Sequence, residues 1–214
     1  IIMQVIKPYF IIESDINGTE ILKLIEKVGR TCYKSEDRTT ESSAATFVKN
    51  IISRGHEAVI EHYNITVRVI CDRGVTHEIV RHRIASYAQE STRYCNYSKN
   101  KFGSEITYIE PCFWDINTED GRKKYELWKE VMEFTEKKYM ELIEAGATAQ
   151  EARSILPNSL KTELVMTMNL REWRHFFKLR TAQASHPQMR EIAIPMLNEF
   201  KKLIPVIFDD IVAE

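Results

Sequence analysis

Apolar positions along the chain follow two rhythms. In "NITVRVIC", Ile65, Val67, Val69 and Cys71 fall on every second position, the period of a strand with one buried face. "IIMQVIKPYFII" (1–12), "EITYIEP" (105–111) and "LKTELVMTMN" (160–169) read as further strands. Elsewhere the spacing is helical. Ile21, Leu24, Ile25 and Val28 make one stripe, and Phe47, Val48, Ile51 and Ile52 make another that stops at Gly55. "GVTHEIVRHRI" keeps helical spacing through Val75 and Ile79 to an Arg81–Arg83 end. Residues 122–145 form the longest helix, with Trp128, Val131, Met132, Thr135, Tyr139 and Leu142 on one side and Gly146 as its stop. Thr148 and Glu151 match a capping box opening "AQEARSIL", which Pro157 ends. Asn169 and Glu172 match another, opening "LREWRHFFKLR". A last helix starts at Pro187, carries Met189, Ile192, Met196 and Phe200, and meets Pro195, which predicts a kink. Strands and helices are interspersed without regular β-α-β spacing. The fold class is therefore α+β: a single domain, residues 1–214, in which helices pack on a sheet and a long helical segment is added.

Composition narrows the partners. The net charge is −1, from 30 basic and 31 acidic residues, so a general nucleic-acid coat is excluded and any basic cluster is a local site. No run of 18 apolar residues exists to span a membrane. The opening apolar run is too short for a signal segment and lacks a basic leader, and Met3 stands as a candidate natural start. Cys32, Cys71, Cys95 and Cys112 are scattered without a C-x-x-C pair, a pattern of reduced thiols that points to a cytoplasmic protein.

Chemistry concentrates in "RHRIASYAQESTRY", residues 81–94. Arg81, His82 and Arg83 could be cations placed at a helix C-terminus, where the macrodipole favours them. The continuation through Ser86, Gln89, Ser91 and Arg93 supplies more donors than a solvated loop needs. Guanidinium forks and hydroxyls in that density suit a phosphate or a pyrimidine. Downstream lie Arg153, Arg171, Arg174 and Arg180. Arg171 and Arg180 are nine apart, about 180° and about 13 Å on a helix, so they face different ligands or different subunits. "GHEAVIEH" tempts a zinc reading, but His56 and His62 are six apart, on different faces of a helix, and no metal site is expected. Cys112 in "PCF" looks like a nucleophile, but it has no arginine-rich phosphate motif beside it.

Four ordered stretches, "GHEAVIEH", "RHRIASYAQES", "EARSILP" and "NLREWRHFFKLR", together resemble the flavin-dependent thymidylate synthases, the ThyX family. Its signature is R-H-R, seven residues, then S, matched by Arg81, His82, Arg83 and Ser91, and the likeness spans residues 56–191. The resemblance implies an enzyme that methylates dUMP reductively to dTMP, with 5,10-methylenetetrahydrofolate as carbon donor and FAD carrying hydride from NADPH. It implies FAD contacts at Arg81, His82, Arg83, Asn169, Arg171 and His175, with His56 near the flavin ring and the folate. It places dUMP at Glu78, Gln89, Ser91, Arg93 and Arg153, with Arg81 close enough to serve it too. Arg180 would face the pyrimidine as the catalytic residue. The family assembly implied is a homotetramer with sites between subunits, and neither nucleic acid nor membrane is a partner.

Three departures from the family pattern stand out: Ala58 where a hydroxyl is common, Ala88 where Asn is usual, and an apparent exchange of acid and amide between Glu78 and Gln89. Two readings compete with the enzyme. One is a non-catalytic nucleotide- or RNA-binding module using the same basic segment, against which the near-zero net charge counts. The other is a metal-dependent hydrolase built on His56, His62 and His82.

Overall fold

A computed structural model describes residues 3–98 and 105–214. The opening apolar run is two strands, β1 (Gln4–Ile6) and β2 (Tyr9–Ile12), rather than one. Pro8 stands between them and has no N–H to give a ladder. Residues 1 and 2 of that run lie outside the described residues. β1 pairs in parallel with β5 (Thr107–Ile109), Gln4 opposite Thr107 and Ile6 opposite Ile109. β2 edges a four-stranded sheet of order β2–β3–β6–β4, where β3 is Asn64–Asp72, β6 is Lys161–Asn169 and β4 is Ser86–Gln89. The Leu170 N–H donates to the Tyr63 carbonyl (3.0 Å) and the Arg73 N–H to that of Leu160 (3.1 Å), so β3 and β6 run antiparallel.

The period-two reading of β3 holds, with Ile65, Val67, Val69 and Cys71 all buried. Towards its end Ile70 and Asp72 are buried as well, so the strand becomes covered on both faces. β4 has no counterpart in the hydrophobic pattern: "SYAQ" is too short and polar to show a period.

The helices are α1 (Gly18–Tyr33), α2 (Ser43–Ser53), α3 (Arg73–Ile79), α4 (Glu119–Glu144), α5 (Ala149–Ala152), α6 (Leu170–Arg180) and α7 (Pro187–Leu203). α1 buries Ile21, Leu22, Ile25 and Gly29, leaving Leu24 exposed. Gly29 fixes that face, since a Cβ there would lie 2.6 Å from the Phe47 ring. α4 buries Met132, Tyr139 and Met140 together with Glu136, whose carboxylate accepts the Ile106 N–H at 2.8 Å, while Val131 is exposed. The expected Arg81–Arg83 helix end is not found: α3 stops at Ile79 with Val80 as its C-cap, and the three residues follow outside the helix. α7 carries Pro195 within its length.

The chain divides into two compact units. One comprises Ile1–Tyr9, Val69–Arg81 and Ala88–Leu164, and its core gathers Met3, Ile106, Tyr108, Met132, Tyr139 and Leu160. The other comprises Phe10–Arg68, His82–Tyr87 and Val165–Glu214. Its core is aromatic: Trp173, Phe176, Phe177, Phe200 and Phe208 meet mostly edge to face, with centroids 4.9 to 5.7 Å apart. Such pairs add about 0.5–1.5 kcal/mol each beyond burial. The Trp173 indole N–H donates to the Ile65 carbonyl at 3.1 Å, which ties α6 to the start of β3. α6 is thereby held rigidly, and its other face is left for polar work. Among the described residues no helix is long and apolar enough to cross a membrane.

Candidate active site

Asp72 ends β3 and caps α3, its carboxylate accepting the Val75 N–H at 2.8 Å. This short helix turns the chain so that Arg81 is exposed while His82, one residue on, is buried. His82 is held from three sides. Its Nδ1 lies 3.0 Å from a Glu172 carboxylate oxygen, the Arg180 Nε–H donates to its Nε2 at 3.0 Å, and the Tyr87 hydroxyl donates to its backbone carbonyl at 2.6 Å. Arginine nitrogens only donate, so His82 Nε2 must be an acceptor. The imidazole is therefore neutral, with its proton on Nδ1 and directed at Glu172. Burial holds its pKa below the ordinary 6.5; the Glu172 hydrogen bond opposes this and the Arg180 charge reinforces it. The Tyr87 hydroxyl is pushed up to about 12, mainly by burial and then by Glu172.

The second capping box forms only in part. Asn169 caps α6 by accepting the Glu172 N–H at 2.9 Å, but the Glu172 carboxylate reaches His82 across 90 residues of sequence. A single helix start thus sets both Asn169 and the acid that fixes the His82 tautomer. Arg171, His175 and Lys178, at helical spacing on the exposed side of α6, line a cavity of about 530 Å³ with Ile84, Asn169 and the carboxylates of Glu57, Glu61 and Glu172. That size falls in the range of small-molecule sites, about 300–1,000 Å³. Arg171 pairs with Glu61 at 2.6 Å, with both side chains well exposed. The His82 and His175 rings lie 5.5 Å apart.

Arg174 has a different task. It is buried, and its guanidinium meets both Asp210 carboxylate oxygens (2.6 and 2.8 Å), Glu57 at 3.2 Å and the Ile207 carbonyl. It ties α6 to the C-terminal segment and holds the Asp210 carboxyl below its usual range. His56 is exposed and its Nδ1 is hydrogen-bonded to the Tyr33 hydroxyl at 2.8 Å, facing a different cavity from the one at His175. His56, His62 and His82 do not converge. The donor group with metal-compatible spacing among the described residues is His82, Glu172 and His175, whose ligand atoms lie within 4.8 Å of one another. Both His82 nitrogens in that group already face protein partners.

The other predicted contacts lie in the first unit, except Arg83, which lies in the second. The expected capping box at Thr148 and Glu151 is present in full. It sets α5 so that Gln150 accepts from Arg93 Nε at 3.1 Å, while Arg153, just past the helix, reaches the Thr92 hydroxyl at 3.5 Å. Ser91 accepts the Arg93 N–H at 3.3 Å, so Ser91, Arg93 and Arg153 share one locality. Gln89 lies on β4 and donates its amide to Thr76 at 3.1 Å and to Thr162 at 3.4 Å. Glu78 is half-buried on α3, two residues beyond Thr76 and so on another face of that helix. Arg81 and Arg83 are exposed.

A family model described as "Thymidylate synthase complementing protein" matches residues 16–206. The flavin-dependent thymidylate synthase of Pyrococcus furiosus is 38% identical over 180 residues, covering 84% of this chain and 71% of that protein. The chain belongs to this family. The flavin-dependent thymidylate synthase of Corynebacterium efficiens is 30% identical over 210 residues, covering 94% of this chain and 83% of that protein. A crystal structure of the UMP/dUMP methylase PolB from Streptomyces cacaoi, bound with 5-Br dUMP, superposes with a TM-score of 0.80 at 21% identity, covering 99% of this chain and all of that one, so the fold is shared.

For a flavin-dependent thymidylate synthase, the R-H-R motif was legible in sequence, but two groups that hold it were not. Glu172 was hidden because a capping box explained it, and Tyr87 because nothing in "IASYAQ" marks it as a backbone anchor.

Proposed function

We propose that the chain is an FAD-dependent thymidylate synthase that methylates dUMP to dTMP with 5,10-methylenetetrahydrofolate as carbon donor and NADPH as reductant. The observation that carries this reading is the neutral His82 fixed between Glu172 and Arg180 at the centre of the family signature.

The residues fit an anionic, planar cofactor. Asn169, Arg171, His175 and Lys178 line one cavity whose three carboxylates are each paired, Glu57 with Arg174, Glu61 with Arg171 and Glu172 with His82, and Arg83 is exposed nearby in sequence to His82. Arg171 can exchange Glu61 for a phosphate at small cost, because exposed ion pairs contribute about 0–1 kcal/mol. FAD, when bound, supplies the hydride. The chain's own residues bind and orient. His82 fixes the plane of Arg180 through Nε, and a guanidinium facing a pyrimidine lowers the pKa of its N3–H and so favours the activated anion. Ser91, Arg93 and Arg153 offer hydroxyl and guanidinium donors suited to the dUMP phosphate, Arg81 adds an exposed cation, and Gln89 and Glu78 border the nucleotide. His56 stands on the folate side. No side chain is required as a nucleophile: Cys71 is buried with its thiol pKa pushed up by burial, and Cys112 is exposed. The whole chain, 1–214, acts as one catalytic domain in a cytoplasmic homotetramer whose sites lie between subunits.

The test is purification and a flavin spectrum, followed by a thymidylate assay on wild type and Arg180→Ala. The expected result is a yellow protein that releases FAD on denaturation, and a variant that keeps FAD but loses roughly 10- to 150-fold in turnover. Failure to bind saturating FAD, or undiminished turnover in Arg180→Ala, would overturn the reading.

A further inference from the structure

A second cavity, of about 430 Å³, lies between the C-terminal end of α1 and α2 in the second unit. It is built around Arg30, which is buried, stacked 4.8 Å from the Phe47 ring centroid and neutralised by Glu26 at 2.6 Å. The Arg30 guanidinium also donates to the Ser35 carbonyl at 3.2 Å, which pins the turn after α1. That turn holds Lys34 at φ 47°, ψ 50°, a left-handed conformation that glycine adopts more cheaply. Lys34, Arg38 and Arg54 then line the cavity with a single carboxylate, Asp37, among them. Among the described residues none of these three cations has an ion-pair or hydrogen-bonding partner for its side chain. In a chain of net charge −1, three open cations against one acid is a local excess that favours an anion. His56, held by Tyr33, lines the same cavity.

We propose that this cavity is an anion subsite that takes the negatively charged end of a co-substrate reaching past His56. The ligand class is a molecule with at least two carboxylate or phosphate groups, which three converging cations can share. Carboxylates would come from the glutamate end of the folate donor, and phosphates from the nicotinamide dinucleotide. The assignment to a co-substrate rests on the thymidylate synthase reading, whereas the anion site itself does not.

The experiment uses the full-length protein and the Arg38→Gln/Arg54→Gln double variant, whose altered side chains have no protein partner to lose. Calorimetric titration with inorganic pyrophosphate, in the presence of saturating FAD and dUMP so that their own phosphate contacts are filled, should show binding to wild type weakened about 10- to 100-fold in the variant. Equal binding by the two proteins, or none by wild type, overturns the subsite. Steady-state KM values then identify the source. A tenfold or larger rise for a pentaglutamyl over a monoglutamyl folate donor assigns the carboxylates, and a rise confined to NADPH assigns the phosphate, with the KM for dUMP unchanged in both cases. No change in either KM overturns the co-substrate role. Absence of thymidylate formation by wild type alongside the pyrophosphate difference would sink the proposed function and leave the anion site standing.

Discussion

Both ring nitrogens of His82 are bonded to charged protein groups in a buried setting, whereas the guanidinium groups of Arg93 and Arg153 each meet one neutral side-chain oxygen and stand open to solvent. The first arrangement fixes one geometry before any ligand arrives. The second leaves its donors available, because a weak bond to Gln150 or Thr92 is cheaply exchanged for a charge-assisted one. Of these two clusters, the preorganised one at His82 lies in the second unit and the accessible one at Arg93 and Arg153 in the first. α6 shows the same division at shorter range. Arg174 is locked on its buried side by Asp210 and Glu57, while Arg171, three residues earlier, is exposed against Glu61.

The largest effect should come from Glu172, the acid that holds the fixed side together. Glu172→Ala leaves the buried His82 Nδ1–H without an acceptor, which costs about 1–3 kcal/mol of stability. It also frees the imidazole to take the other tautomer, which would turn Nε2 into a donor against Arg180. Thymidylate formation is expected to fall roughly 10- to 100-fold, with a lowered Tm. Glu172→Gln retains a carbonyl oxygen that can accept the same proton, so it should recover most of both losses. Equal damage from the two substitutions would show that charge, not tautomer, is what Glu172 provides.

A smaller effect, and of the opposite kind, is expected from Arg153→Ala and Arg93→Ala. Each removes an exposed cation bonded to one neutral side-chain oxygen, Arg93 also lying 5.4 Å from the exposed Tyr94 ring centroid, so stability should stay within the range of surface substitutions, about ±0.5 kcal/mol. Affinity for dUMP should drop about tenfold in each, as expected for loss of a charge-assisted phosphate contact. The pair of measurements is a Tm and a dUMP titration for each variant. A clear loss of stability with unchanged dUMP affinity would erase the contrast between the two regions.

How much of this was legible in sequence depends on range. The cap at Asn169, the capping box at Thr148 and Glu151 and the alternation of β3 are local patterns, and they stand in the structure as read. The R-H-R motif was legible through its spacing to Ser91. What the pattern could not show is where a polar side chain goes once it leaves its own helix. Glu172 fits a capping box equally well whether it bonds its own turn or His82, and only the packing of α6 against the aromatic core decides. α1 illustrates the same limit in the core: Leu24 fits a helical stripe, yet close contact at Gly29 sets the face one position over. The expected helical end at Arg81–Arg83 failed: α3 stops at Ile79, and β4, which starts at Ser86, is too short to show a period that would have marked the change.

The smallest effect is a pH dependence that should exist on one side of the comparison only. Burial holds His82 below the ordinary imidazole value of 6.5, and its Nε2 faces an arginine donor, so the folded protein resists a proton that the unfolded chain accepts. Between 6.5 and the depressed folded value the unfolded state binds more protons, and stability therefore falls as pH is lowered through that window. Above 6.5 both states are neutral at this position and no slope arises from it. The slope for one group is at most about 1.4 kcal/mol per pH unit. The cluster of Gln89, Ser91, Arg93 and Arg153 holds no histidine, so this effect is tied to His82. The measurement is chemical denaturation of wild type and His82→Asn at intervals from pH 8 to pH 5. The difference between the two curves should be flat down to about pH 6.5 and then shrink, because wild type loses a contribution that the variant never had. A difference that stays constant to pH 5 would mean that His82 takes up its proton as readily folded as unfolded, and that the bond from Arg180 does not hold it neutral.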